Sequence, residues 1–164
     1  RLVDAALPSS FRLLHHPAPE HPDGRSDDHD HVAGHPEQVG PDVADPGSAR
    51  VLVTLNQPYG NHNGGAIHIG PDGYLYIGTG DTGWSSNLPQ VLSSLGGKIL
   101  RIAHDGSIPP DNPFVGIANG EYEAIWAMGL RNPFTFAIDG VTGVLGIAPA
   151  SSRTPKTNTT TNGK

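Results

Sequence analysis

The chain has 164 residues, a formal net charge of −6 and no cysteine, which excludes disulfides and thiolate metal sites. Its ten Lys and Arg residues are spread along the sequence and leave no basic stripe for a phosphate backbone, which argues against nucleic acid as a partner. No apolar run approaches the roughly 20 residues that a membrane span requires. With 22 Gly, 16 Pro and a hydrophobic content of 35%, the sequence predicts a small core confined to the middle of the chain.

Residues 1–41 are predicted to be low in complexity and without regular structure. They contain six of the nine histidines, many prolines and few large apolar side chains, so they cannot bury enough surface to offset the entropy of ordering. A His-rich tract such as "DDHDH" can bind metal, but the neighbouring prolines oppose a regular element that would fix the ligand geometry, and we predict no metal ligand. The chain begins at Arg1 without a Met or a convincing signal peptide, which we interpret as a truncation.

From Arg50 onward, short β-rich runs alternate with turn residues, which predicts an all-β fold. The runs are "RVLVTL", "GAIHI", "YLYIGTG", "GKILRI", "AIWAMGL", "FTFAID" and "GVLGIA". Because "GAIHI" and "YLYIGTG" flank the turn "GPDG", they predict a β-hairpin. No long stretch has helical periodicity. Strands at this spacing suit a sandwich, a barrel and a propeller about equally well.

The loop "NHNGG" before this hairpin contains His62, and the turn "GTGD" after it contains Asp81. The two ends of a hairpin lie side by side, so the imidazole and the carboxylate can meet. A carboxylate that accepts a hydrogen bond from one imidazole nitrogen fixes the tautomer and raises the basicity of the other nitrogen, which prepares a general base. The alternative is that both segments are ordinary turns, because Asn, Asp and Gly are common turn residues.

The segment "GLRNPF" places Arg131 and Asn132 between two predicted strands. Arginine supplies planar donors for anionic or carbonyl oxygens and asparagine adds a neutral donor, so the pair can bind a ligand. The alternative is an arginine that bonds loop carbonyls within the fold. His68 is assigned to an exposed strand face and His104 to a turn, both without a function.

Four blocks in order, "NHNGGAIHIGPDGYLYIGTGD", "LSSLGGKILRI", "DGSIPPDNPF" and "EAIWAMGLRNPFTFAID", resemble the glucose/sorbosone dehydrogenase family. Its members are soluble quinoproteins that oxidise the C1 hydroxyl of aldose sugars with pyrroloquinoline quinone. The resemblance covers residues 42–147 and implies about two blades of a six-bladed β-propeller. It also implies a sugar substrate, a separate electron acceptor, a calcium ion whose ligands are not in this chain, and a periplasmic or secreted location.

The resemblance further implies roles for individual residues. His62 matches the general base that takes the proton from the sugar C1 hydroxyl, and Asp81 matches the aspartate that holds this base. Arg131 and Asn132 match the pair that contacts the quinone oxygens. Asn61 stands at a substrate-binding position where the glucose dehydrogenase branch has an acidic residue, which leaves the preferred sugar open.

After "VTGVL" the sequence departs from the family, and residues 148–164 are predicted to be an unstructured tail. We expect residues 1–41 and 148–164 to be out-of-frame translations that flank a correct reading frame, with genuine disordered tails as the alternative. The chain alone is then an inactive gene fragment. Relatives of the hedgehog-interacting type share "HNGG" and "DGYLYI", so a non-catalytic propeller module that binds a protein or glycan is the alternative function.

Overall fold

The computed structural model describes residues 11–16, 29–34, 38–40, 43–44, 48–83 and 87–147. These residues form an antiparallel all-β fold, as predicted. Its strands are β1 Phe11–His16, β2 His29–Gly34, β3 Gln38–Gly40, β4 Val43–Ala44, β5 Arg50–Asn56, β6 Ile67–Ile69, β7 Leu75–Thr79, β8 Lys98–Ile102, β9 Ile125–Met128, β10 Phe136–Ile138 and β11 Leu145–Ile147. Two short 3₁₀ helices span Leu88–Gln90 and Gly120–Ala124, and no helix within the described ranges has the length and hydropathy of a membrane span.

A four-stranded sheet in the order β6-β7-β8-β9 forms the centre of the fold. Its first two strands are the predicted hairpin, with Ile67 opposite Ile77. The Gly70 N–H donates to the Tyr74 carbonyl over 2.9 Å and closes the "GPDG" turn. The hairpin prediction is therefore confirmed, and the loop before β6 and the loop after β7 lie at the same end of the sheet.

Both faces of the central sheet are buried, because successive residues of its strands alternate between two cores. One core packs against β5 and contains Leu55, Leu75, Ile77, Leu100, Ile102 and Ile125. The other core packs against β10 and β11 and contains Tyr76, Ile99 and Phe136. β10 and β11 form a separate two-stranded antiparallel sheet. The strand that precedes the central sheet and the strands that follow it thus cover its opposite faces.

Arg101 lies on the face that β10 and β11 cover, and it is only 4% exposed. Its Nε and Nη2 donate to Asp72 Oδ2 over 3.0 and 2.9 Å, and its Nη1 donates to Asp111 Oδ1 over 2.8 Å. The guanidinium also lies over the rings of Tyr74 and Trp126, 4.2 and 4.8 Å from their centroids. Burial opposes the charge, but the hydrogen bonds that Arg101 donates to Asp111 and Asp72 raise the pKa of Arg101 above its ordinary value. Arg101 therefore joins the hairpin turn to the loop that follows β8.

A three-stranded antiparallel sheet, β1-β2-β5, extends the fold toward the N-terminus. β2 pairs with β5 from His29 opposite Asn56 onward. The prediction that residues 1–41 lack regular structure is therefore wrong for β1, β2 and β3. The reason is backbone pairing, of β2 with β5, of β1 with β2 and of β3 with β4, which orders segments whose side-chain composition does not predict strands. The rest of residues 1–41 and the predicted tail 148–164 lie outside the described residues, and the domain boundaries stay predictions.

His68 does not lie on an exposed strand face, as the sequence predicted. Its ring packs edge-on against Phe136, with the ring centroids 4.6 Å apart, because β10 and β11 cover this face of the sheet. Burial lowers the pKa of the His68 imidazole below its ordinary value. His104 lies in an exposed turn after β8, as predicted.

The lowered pKa of His68 predicts a loss of stability in mild acid. Since the folded pKa is the lower one, the unfolded chain takes up the proton first, and stability decreases as the pH falls below about 6.5. The measurement is the free energy of unfolding in urea at about pH 7.5 and about pH 5.5. The native chain is expected to lose more stability than the His68→Phe variant, which cannot titrate at this position. Equal losses would show that His68 is protonated as readily in the folded chain as in the unfolded one.

Candidate functional site

The candidate site lies at the end of the central sheet where the loop before β6 meets the loop after β7. His62 belongs to the first loop and Asp81 to the second. The His62 Nδ1 and the Asp81 Oδ1 are 2.7 Å apart, and the two side chains are 19% and 15% exposed. The prediction that these side chains meet at one end of the hairpin is confirmed.

The contact fixes the proton on the imidazole. A carboxylate oxygen can only accept, so Nδ1 carries the hydrogen and Nε2 of the neutral ring keeps its lone pair. Within the described residues, no hydrogen bond uses the His62 Nε2. The Asp81 Oδ1 also accepts the Gly83 N–H over 3.0 Å, which holds the carboxylate in place. His62 is therefore arranged to take a proton through Nε2 from a molecule placed beside it.

Glycines allow the loops of the site to approach each other closely. A Cβ at Gly80 would overlap the carbonyl oxygen of His62, and a Cβ at Gly64 would overlap the carbonyl of Gly78. His62 itself has a φ of +55°, in the left-handed region that residues with side chains seldom adopt. The clustered glycines of this sequence thus serve to bring a histidine in an unusual backbone conformation against its aspartate.

The loop between β9 and β10 completes the site with Arg131 and Asn132. The Arg131 carbonyl accepts the Asp81 N–H over 2.8 Å, while Arg131 as a whole is exposed. The Asn132 Oδ1 accepts the Gly64 N–H over 2.9 Å. Within the described residues, no hydrogen bond uses the Asn132 Nδ2. The loop therefore bonds the backbone of Asp81 and of Gly64, two residues after His62, and adds an exposed arginine and an asparagine amide to this end of the sheet.

Asn61 is exposed and lies next to the turn after β7, because a Cβ at Gly83 would overlap the Asn61 Oδ1. Turning the Asn63 amide over gives both of its polar atoms partners, and its side-chain nitrogen then donates to the carbonyls of Tyr59 and Asn61 over 3.1 and 2.9 Å, which closes the loop around Asn61. Sequence reasoning missed the role of Asn63. The sequence "NHN" contains a signal for it, since an asparagine side chain commonly bonds nearby backbone in a turn.

Lys98 is a second residue that sequence reasoning missed. It is fully buried, and its Nζ donates to the carbonyls of Leu88 and Gly96 over 2.7 and 2.8 Å. Burial lowers its pKa to about 8. The preceding residue, Gly97, donates its N–H to the Gly80 carbonyl over 2.8 Å, so this backbone bond ties the start of β8 to the site while the Lys98 side chain ties it to the 3₁₀ helix at Leu88. The sequence does contain a signal for the burial of Lys98, because this lysine begins the mostly apolar strand "KILRI".

Comparison with known proteins relates this arrangement to sugar dehydrogenases. The Glucose / Sorbosone dehydrogenase family model matches residues 47–147. HIPL2 protein from Arabidopsis thaliana is 43% identical over 109 residues, which are 55% of this chain and 16% of that protein. Aldose sugar dehydrogenase YliI from Escherichia coli (strain K12) is 39% identical over 80 residues, 49% of this chain and 21% of that protein. Hedgehog-interacting protein from Mus musculus is 33% identical over 125 residues, 68% of this chain and 18% of that protein. The chain thus spans about a fifth of the length of these curated relatives.

Solved structures show the same similarity. The apo-form of the soluble aldose sugar dehydrogenase (Asd) from Escherichia coli matches with a TM-score of 0.63 and 25% identity, over 82% of this chain and 38% of that one. The PQQ-bound aldose sugar dehydrogenase (Adh) from Streptomyces coelicolor matches with a TM-score of 0.55 and 34% identity, over 73% of this chain and 33% of that one. A four-stranded antiparallel sheet packed between neighbouring sheets is the blade arrangement of a β-propeller. The predicted fold class, an all-β chain that covers part of a propeller, is confirmed.

Proposed function

This chain belongs to the glucose/sorbosone dehydrogenase family, and we propose that it forms the proton-accepting part of a site that oxidises the C1 hydroxyl of an aldose sugar to a lactone. The observation that carries the proposal is the 2.7 Å contact of His62 with Asp81, beside the exposed Arg131. Because the chain spans 21% of the length of YliI, the activity is proposed for a protein that extends this chain to the length of its relatives.

In the proposed reaction, His62 is the general base. Its Nε2 takes the proton of the C1 hydroxyl as the hydride leaves C1, and Asp81 stabilises the imidazolium that forms. When bound, pyrroloquinoline quinone would supply the hydride acceptor, and a separate electron acceptor would return the cofactor to its oxidised form. The exposed Asn61, three residues before Gly64, is proposed to contact the sugar.

The residues of the site fit the cofactor through their chemistry. A quinone with carboxylates presents acceptor oxygens, and Arg131 and Asn132 supply donor groups on the loop that bonds the backbone of Asp81 and Gly64. The PQQ-bound relative from Streptomyces coelicolor supports this choice. Calcium is implied by the family resemblance, but among the described residues no three His, Asp or Glu side chains are grouped to hold a metal ion. We therefore assign no calcium ligand.

Replacing Arg131 with alanine is expected to weaken the binding of pyrroloquinoline quinone by about 10- to 100-fold, because a hydrogen bond to a charged group contributes roughly 1.5–3 kcal/mol. The fold should persist, since Arg131 contacts Asp81 through its backbone carbonyl, which alanine retains. A titration of the extended protein with the cofactor measures the affinity. Arg131→Lys, which keeps the charge but loses the planar fork, should give an intermediate affinity. An unchanged affinity in both variants would remove Arg131 from the cofactor site.

The proposed function is tested by an absorption spectrum of the extended protein after addition of pyrroloquinoline quinone and calcium, followed by an aldose sugar. Reduction of the bound cofactor by the sugar is the expected result. A cofactor that binds but stays oxidised with a range of aldoses would contradict the proposal. The same measurement on the 164-residue chain should show no turnover.

A non-catalytic propeller module that binds a protein or glycan is the second candidate. Its support is the 33% identity to Hedgehog-interacting protein, a relative whose name describes a binding activity. Failure of the extended protein to bind pyrroloquinoline quinone at all would favour this candidate. For either function we propose a periplasmic or secreted location, in keeping with the family resemblance.

A further inference from the structure

The backbone of His62 requires outside support. Its φ of +55° lies in the left-handed region, which is unfavourable for a residue with a side chain, so the loop keeps this conformation only if its surroundings hold it. The contact between Nδ1 and Asp81 does not hold the backbone by itself, and it fixes the tautomer only while the loop keeps the ring against the carboxylate. The groups that touch the backbone of this loop are therefore the ones that set where the Nε2 lone pair points.

Asn132 makes such a contact from a distant part of the chain. Its Oδ1 accepts the Gly64 N–H over 2.9 Å, two residues after His62 and across 68 positions of sequence. The same oxygen is 3.0 Å from the position that a Cβ on Gly80 would take, and that Cβ would also overlap the His62 carbonyl. The His62 carbonyl, the Gly80 backbone and the Asn132 side chain therefore pack against one another without space for an added methyl group.

We propose that Asn132 is a positioning residue for His62, and that its side-chain oxygen holds the base loop while its Nδ2 remains available to a ligand. One planar amide then links base and cofactor, because a shift of Asn132 on ligand binding moves the Gly64 N–H and with it the His62 backbone. The catalytic consequence rests on the proposed function, whereas the positioning can be measured without cofactor or sugar.

The test is ¹⁵N NMR of the His62 imidazole in the 164-residue chain at about pH 8, above the usual titration range of histidine. Separate signals for a protonated Nδ1 and an unprotonated Nε2 are expected in the native chain. Asn132→Asp keeps the acceptor oxygen and should keep this pattern, although it loses the Nδ2 donor. Asn132→Leu and Gly80→Ala should both shift the two nitrogen signals toward the average of exchanging tautomers.

Asn119→Leu is the matched control, because Asn119 is exposed and its side chain makes no capping hydrogen bond to the 3₁₀ helix that follows. It should leave the His62 signals unchanged. An unaltered tautomer in Asn132→Leu would overturn the proposal. Should Asn132→Leu unfold, Asn132→Ala provides the same comparison, and unfolding of both would overturn it too, since Asn132 would then hold the whole fold. Because no ligand is present, a negative result here leaves the sugar-oxidation test unaffected, and the reverse also holds.

Discussion

Replacing His62 with alanine is expected to lower the rate of sugar oxidation by about 10²- to 10⁴-fold, the usual contribution of a positioned base. The variant removes the Nε2 that takes the hydroxyl proton and leaves Asp81 without an imidazole to orient. Cofactor affinity should change little, because the donors assigned to the quinone lie on Arg131 and Asn132. The loss is therefore expected in kcat, measured at saturating cofactor in a protein that extends this chain to the length of its relatives.

His104→Ala is a suitable control for this experiment. His104 lies in the turn that follows Ile102, whereas the site lies beyond the opposite end of β8, next to Lys98. The control should keep the native kcat. If His62→Ala kept it as well, the assignment of the base would be wrong, and the 2.7 Å contact with Asp81 would have a structural role only.

Replacing Arg101 with methionine is expected to lower the free energy of unfolding by about 2–3 kcal/mol. Loss of one partner of a buried ion pair typically costs roughly 3–5 kcal/mol, and a cation over an aromatic ring adds about 0.5–2 kcal/mol. The side chains of Asp72 and Asp111 are 32% and 66% exposed, so water can solvate them once Arg101 is gone. For this reason the expected loss lies below the full cost of a buried unpaired charge.

Urea unfolding of the 164-residue chain measures this loss. Arg50→Met is the matched control, since Arg50 is exposed and its Nη2 bonds only the Asp105 carbonyl over 3.0 Å among the contacts described. A surface change of this kind usually alters stability by about 0.5 kcal/mol or less. Similar losses in the two variants would show that the Arg101 network contributes no more than a surface contact.

The hairpin and its histidine–aspartate pair could be predicted from the sequence because both depend on local pattern. Alternating apolar residues around "GPDG" set the register, and the register places residues 62 and 81 together. The environment of His68 could not be predicted in this way, since period-two alternation separates the faces of a strand without showing that β10 covers one of them. The Asn132 contact with Gly64 was equally hidden, because no spacing rule connects residues 68 positions apart.

The N-terminal strands could not be predicted from local sequence either. The composition of residues 1–41 predicts no core, yet β2 lies along β5 through backbone hydrogen bonds that every non-proline residue can make. Such pairing depends on a partner strand elsewhere in the chain, so side-chain composition does not contain the signal.

β5 precedes the central sheet in the chain and covers one of its faces, and β10 and β11 follow it and cover the other face. The sheets are therefore neighbours in space in the same order as in the sequence. In repeat architectures of this kind, stability is a sum of the intrinsic stability of each unit and the coupling between adjacent units. The hydrogen bond that the Gly64 N–H donates to the Asn132 Oδ1 joins the connection between two such units to the loop that carries His62. The His62 loop is thus held in part by the following unit, and a local opening at that junction would release the loop while the central sheet remains folded.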